Sequence, residues 1–150
     1  MNDPSVFLVK YSNSDKKNLK KVALSDNFPT FAFMDRNEKH RTITFYKDYF
    51  ETFLSVQRQK VKDKIIWTLK LIEEVDRVPE TYLKHLVGTD GLYEVRVQVG
   101  SDIFRIFCFF DEGNLVVLAN VFQKKMQKTP KNEIEKALKI KKEYEDDKNA

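Results

Sequence analysis

"LYEVRVQVGSDIFRIFCFFDEGNLVVLANVF", residues 92–122, decides the fold. Three runs of aromatic and β-branched residues, 92–99, 103–110 and 115–122, are divided by Gly-Ser-Asp and Asp-Glu-Gly-Asn. Glycine-bearing connections this short join antiparallel neighbours, so the stretch predicts a three-stranded meander. Side chains alternate across a strand. Tyr93, Val95, Val97 and Val99 therefore share one face, and Glu94, Arg96 and Gln98 share the other. That split predicts an apolar core side and a polar working side, with Arg96 displayed rather than buried. In the second run Arg105 shares a face with Ile103, Phe107 and Phe109, an arginine among large apolar neighbours.

Upstream of the meander the period changes. Tyr46, Phe50, Phe53, Leu54, Val61, Ile65, Leu69 and Ile72 recur at three- and four-residue steps, the stripe of amphipathic helix. One long helix or a helical hairpin is predicted over about 47–75, ending by Val78 because Pro79 disfavours helical geometry in the residue before it. Trp67 and the aromatics of this segment read as packing. Downstream, "TPKNEIEKALKIKKEYEDD" predicts a closing helix with Thr129 as N-cap, Pro130 at its first position and Glu133 in its first turn. Ile134, Ala137, Leu138 and Tyr144 supply its apolar side. Residues 1–40 read as an extension that adds strands at 5–12 and 28–34 and a helical turn or two at 15–24. A hairpin is expected over 31–46, and residues 41–150 form the main domain. The predicted class is α+β, a mostly antiparallel sheet with an N-terminal helical hairpin and a C-terminal helix, the helices on one side and a basic cleft on the other.

The whole composition agrees with a packed domain. The 150 residues are 41% hydrophobic and 13% aromatic with only four glycines, enough to build a core without disulfides or metals. Twenty-seven Lys plus Arg against twenty-three Asp plus Glu leave a net charge of +4, which favours polyanionic partners without identifying one. Cys108 has no second cysteine to pair with and lies in an aromatic strand, where it reads as core. No secretory leader is recognisable at the start and no apolar run approaches the roughly 20 residues that span a bilayer, so a cytoplasmic location and no membrane partner are expected.

Gly-rich phosphate loops, zinc-type Cys and His spacings and Gly-x-Ser-x-Gly are all missing from the sequence, so no metal or nucleotide cofactor is expected. Of the two histidines, His40 reads as surface, and His85, just ahead of the meander, is an outside candidate for proton transfer. What the sequence does offer is cations: Lys84, Arg96, Arg105, Lys124, Lys125, Lys128 and Lys131, in or beside the meander. Fixed guanidinium and ammonium groups stabilise the charge that develops when a 2′-hydroxyl attacks the adjacent phosphorus. Arginine's planar fork grips two phosphate oxygens at once. A lysine acting as base needs a depressed pKa, from burial or crowding cations. Neighbours on a strand point oppositely, which places one of Lys124 and Lys125 in such a site and the other on its rim.

The pattern "LYEVR", then "FRIF", then "FQKKMQKTP" before a helix containing Ala137 resembles the RelE/ParE toxin superfamily, in particular its phage-derived Gp49-like, HigB-type branch. The resemblance runs from about Ile43 to Tyr144 and leaves residues 1–40 without a counterpart. It implies the toxin of a type II toxin-antitoxin system, a ribosome-dependent mRNA endoribonuclease that inhibits translation and is restrained by a cognate, helix-turn-helix antitoxin. Its partners are then mRNA and the ribosome. By position, Arg96 and Arg105 fall on the strand cations that contact the scissile phosphate, and Lys125 falls near the basic residue after the last strand, with Lys124 beside it; Arg96, Arg105 and Lys125 are then expected to be catalytic, and Lys84, Lys124 and Lys128 to hold flanking RNA. Where RelE carries a tyrosine after the basic segment this chain has Lys128, Thr129 and Pro130, and Tyr144 stands too far along the last helix to replace it. A ParE-like gyrase poison and a non-catalytic RNA- or protein-binding module of phage origin are the alternative readings.

Overall fold

The computed structural model describes residues 39–150. The strands and helical turns expected at 5–12, 15–24 and 28–34, and the first arm of the hairpin over 31–46, lie outside the described residues. The chain runs β1 (Thr42–Phe45), α1 (Tyr49–Ser55), α2 (Gln59–Glu74), β2 (Leu83–His85), β3 (Leu92–Val99), β4 (Asp102–Asp111), β5 (Leu115–Lys124) and α3 (Lys131–Asn149). It is an α+β domain with a five-stranded mixed sheet in the order β1-β5-β4-β3-β2. The expected meander is present: β3, β4 and β5 pair antiparallel, with Arg96 opposite Arg105 and Arg105 opposite Phe122. At the β3–β4 turn only Gly100 and Ser101 separate the paired residues Val99 and Asp102. Gly100 sits at φ +60, the left-handed geometry that a tight hairpin asks of its first turn residue.

β1 joins the far edge by pairing parallel to β5, Thr42 beside Leu115 and Phe45 beside Leu118. Its lead-in is tied to the end of α2. The Arg41 guanidinium donates to the carbonyls of Ile72, Val75 and Asp76 at 2.8–3.1 Å, satisfying helix-end acceptors that have no partner within the helix.

The sheet has a core on each face. On one, Val95, Val97, Val99, Phe104, Ile106, Cys108, Val116 and Leu118 meet Phe50 and Leu54 of α1 and Val61, Ile65, Ile66, Leu69 and Ile72 of α2. These are the predicted apolar faces of the meander and of the 47–75 segment, which forms two helices rather than one. Trp67 is buried beside Leu71 and Tyr82, and Cys108 is fully buried, its thiol pushed up to about 12 by that burial. On the other face α3 lays Ala137 and Ile140 against Leu92, Phe107, Phe109, Val117 and Ala119. This corrects the expectation of helices on one side only. α3 covers half of the second face because that half of the meander is apolar too, and it leaves uncovered the end where β3 turns to Glu94, Arg96 and Gln98.

The start of α3 also differs from expectation. Its first helical residue is Lys131, and Pro130, at φ −62 and ψ 131, stands in the capping position without a side-chain cap. Glu133 instead holds Asn120 of β5, whose amide nitrogen donates to its carboxylate at 2.9 Å and its carbonyl at 3.2 Å. The link from Lys125 to Pro130 is thereby pinned at both ends. Ion pairs fasten the other end of α3: Lys148 meets Asp111 and Glu112, Lys47 meets Glu143, and the Tyr144 hydroxyl donates to Asp111 at 2.6 Å.

Candidate functional site

Strand pairing assembles the cations. On the second sheet face, Lys84 of β2 lies opposite Glu94 of β3. Arg96 lies opposite Arg105, Arg105 opposite Phe122, and Lys124 opposite Ile103. Opposed residues share a face, so Lys84, Glu94, Arg96, Arg105 and Lys124 belong to one surface across four strands. α3 stops short of it.

Glu94 is the feature the alternation pattern misplaces. It lies on the polar side as expected, yet it is only 5% exposed. Its carboxylate is flanked by Arg96 Nε at 3.3 Å and Arg105 Nε at 3.8 Å. Arg105 is itself 7% exposed, its Nη1 donating to the Phe104 carbonyl at 3.0 Å. At 3.8 Å the second pair is too long for a hydrogen bond, and both Glu94 Oε2 and Arg105 Nε are buried with no hydrogen bond among the described residues. Arg96, with its side chain 33% exposed, is half-displayed rather than fully so. Burial pulls the Arg105 guanidinium below its ordinary pKa; Glu94 opposes that pull and Arg96 adds to it. The two guanidiniums also line a cleft of about 630 Å³ that runs along the β3 edge to Lys64, Thr68 and Tyr82.

Lys124 and Lys125 divide as neighbours must. Lys124, the last residue of β5, is part-buried beside the arginines. Desolvation first, then the charges of Arg105 and Arg96, lower its pKa, with Glu94 acting the other way. Lys125 follows the strand end and is exposed, as is Lys128. His85 sits across from Tyr93, their rings 5.0 Å apart, on the face away from the arginines, and His40 stands near Asp76 at 3.7 Å. Burial first, and then its hydrogen bond to Asp111, push the Tyr144 hydroxyl up to about 12.

Charge pairing separates the two ends of the molecule. At the α3 end Lys47, Lys141, Lys142 and Lys148 each meet a carboxylate within 3.2 Å. Among the described residues, Lys84, Lys124, Lys125 and Lys128 make no ion pair. The cluster thus offers two guanidiniums and an ammonium around one carboxylate, rimmed by unneutralised lysines, an arrangement that suits a phosphodiester. Among the same residues no three His, Cys, Asp or Glu side chains gather as metal ligands, and no helix is long and apolar enough to cross a membrane.

The profile of a family described as phage derived protein Gp49-like matches residues 52–142, from α1 to the second half of α3. No curated protein matches the chain.

Proposed function

The chain belongs to the phage-derived Gp49-like protein family, and from that premise we propose that it is the toxin of a toxin-antitoxin pair, a metal-independent endoribonuclease that cuts mRNA on the ribosome. The observation that carries this reading is the face on which Arg96, Arg105 and Lys124 converge while Lys84, Lys125 and Lys128 make no ion pair among the described residues. Arg96 and Arg105 take the scissile phosphate, and their positive charge stabilises the phosphorane as it forms. Lys124 takes the inner place that the family resemblance gives to Lys125, because the strand continues to residue 124 and turns that side chain toward the arginines. Lys125, Lys128 and Lys84 hold the flanking strand or ribosomal RNA, where contacts to phosphate position without specifying sequence. The unneutralised lysines also give an acidic segment of a helix-turn-helix antitoxin a surface to cover.

Induced expression in bacteria tests the reading, with protein synthesis and DNA integrity followed together. Translation arrest without DNA damage, lost in Arg105→Ala, supports the nuclease. DNA damage with translation intact would turn the reading to a gyrase poison. Neither effect, from folded protein, would make this a binding module.

A further inference from the structure

The cationic face has an obvious home for a phosphate but, in the arginines alone, no group to take a proton from the attacking 2′-hydroxyl. A lysine is ordinarily protonated near neutrality, whereas a carboxylate is ordinarily in its basic form. Among the described residues, Glu94 is the one carboxylate that strand pairing places among these cations, and its Oε2 is buried without a hydrogen bond, 3.8 Å from an Arg105 Nε that also makes none. Both atoms are enclosed in the free protein, so a substrate hydroxyl reaches the carboxylate only once Arg96 moves aside, and it then meets an acceptor whose hydrogen-bonding capacity is unfilled.

Resting on the nuclease reading above, we propose that Glu94 is the general base of the cleavage and Lys124 its general acid. When RNA binds, its phosphate competes for Arg96, the more exposed of the two guanidiniums, and draws it off the carboxylate it contacts at 3.3 Å. Glu94 then accepts the 2′-hydroxyl proton as the 2′-oxygen bonds to phosphorus. The bond from phosphorus to the 5′-oxygen breaks, and Lys124 gives that oxygen its proton. The products are a 2′,3′-cyclic phosphate and a 5′-hydroxyl. Solvent then returns a proton to Lys124 and removes one from Glu94. An ammonium whose pKa is lowered by burial and by two neighbouring guanidiniums gives up its proton more readily than an ordinary lysine does. The same carboxylate keeps Arg105 from lying buried with no counter-charge.

The test is single-turnover cleavage of mRNA on programmed ribosomes by wild type, Glu94→Gln and Lys124→Met, measured against pH and enzyme concentration. Glu94→Gln keeps the side chain's shape and should lose at least about 100-fold in rate, the low end for a lost general base. Its apparent affinity should hold or improve, because a negative charge has left a phosphate site, and the acidic limb of the wild-type pH profile should vanish. An mRNA with a sulfur in place of the bridging 5′-oxygen needs no acid, so it should rescue Lys124→Met and leave Glu94→Gln slow. Cleavage by Glu94→Gln within about threefold of wild type, or a loss confined to affinity, would overturn the assignment while leaving the nuclease reading intact. If Glu94→Gln does not fold, Glu94→Asp decides. Slower cleavage with the acidic limb kept supports the proposal, and full activity sinks it. Wild type that cuts nothing overturns the nuclease reading and this assignment with it.

Discussion

Removing Glu94 alone should cost far more than removing it together with Arg105. Glu94→Leu leaves the Arg105 guanidinium, 7% exposed, with only the Phe104 carbonyl as partner among the described residues. Breaking a buried ion pair from one side typically costs ~3–5 kcal/mol, because the remaining charge has lost both water and counter-ion. Here the expected loss is smaller, about 2–3 kcal/mol, since Arg105 borders the 630 Å³ cleft and can swing toward water. With a urea m-value of roughly 1–3 kcal/mol per molar for small proteins, the midpoint should fall by about 1–2 M. The pair itself is poorly made, at 3.8 Å with both atoms unsatisfied, so the double variant Glu94→Leu/Arg105→Met should regain wild-type stability or exceed it. Arg96 does not spoil this expectation, because it is exposed enough to hydrate when its carboxylate goes. The assay is equilibrium urea unfolding of wild type, Glu94→Leu, Arg105→Met and the double variant at neutral pH, with the m-values compared. Glu94→Leu as stable as wild type, or a double variant weaker than either single one, would refute the reasoning. A stable double variant that cuts no RNA would show a pair kept for chemistry at the fold's expense.

Lys124→Ala should lose roughly 100-fold or more in cleavage rate and Lys125→Ala less than about tenfold, compared by single-turnover assay, because only the first faces the arginines. Lys124→Met should also raise the urea midpoint at neutral pH. A lysine whose folded pKa lies below its unfolded value costs stability while charged, and that cost fades as pH rises through the folded pKa toward about 10.4. The gain from Lys124→Met should therefore shrink as the titration is carried into the alkaline range. Ile140→Ala, which empties a site only 2% exposed between α3 and the sheet, should cost about 2–5 kcal/mol in the same unfolding assay. The Cys108 thiol, fully buried and held at about 12, should react with disulfide reagents only as fast as the protein unfolds, followed by thiol release under native conditions and in urea.

The meander was legible because β3 alternates with period two, β4 and β5 are short aromatic and β-branched runs, and the turns between them carry Gly100 and Gly113 where a left-handed φ is required. Pairing beyond neighbours was less so. Nothing local tells Thr42–Phe45 to lie parallel to β5, and nothing in the amphipathic stripe of α3 says which sheet face it will cover. The division of the 47–75 segment falls at Val56, Gln57 and Arg58, without glycine or proline to mark it; Arg58 turns to an extended conformation and pairs with Asp102 at 2.9 Å. At the site, alternation separated Lys124 from Lys125, but the β4–β5 register, which shifts between Ile106 and Cys108 without a local signal, decides which of them looks inward. Glu94 escaped because a carboxylate beside an arginine two residues on reads as a surface pair. Its burial follows from Arg105 on the neighbouring strand, a contact across the register rather than along the chain.

Whether this cationic face cuts RNA is decided by mapping mRNA 5′ ends in cells after induction of wild type, Arg105→Ala and Lys124→Ala, with each protein checked for folding. New 5′-hydroxyl ends within translated reading frames are expected for wild type and lost in both variants. Folded wild type that yields no new ends, or variants that cut as wild type does, would contradict the nuclease reading.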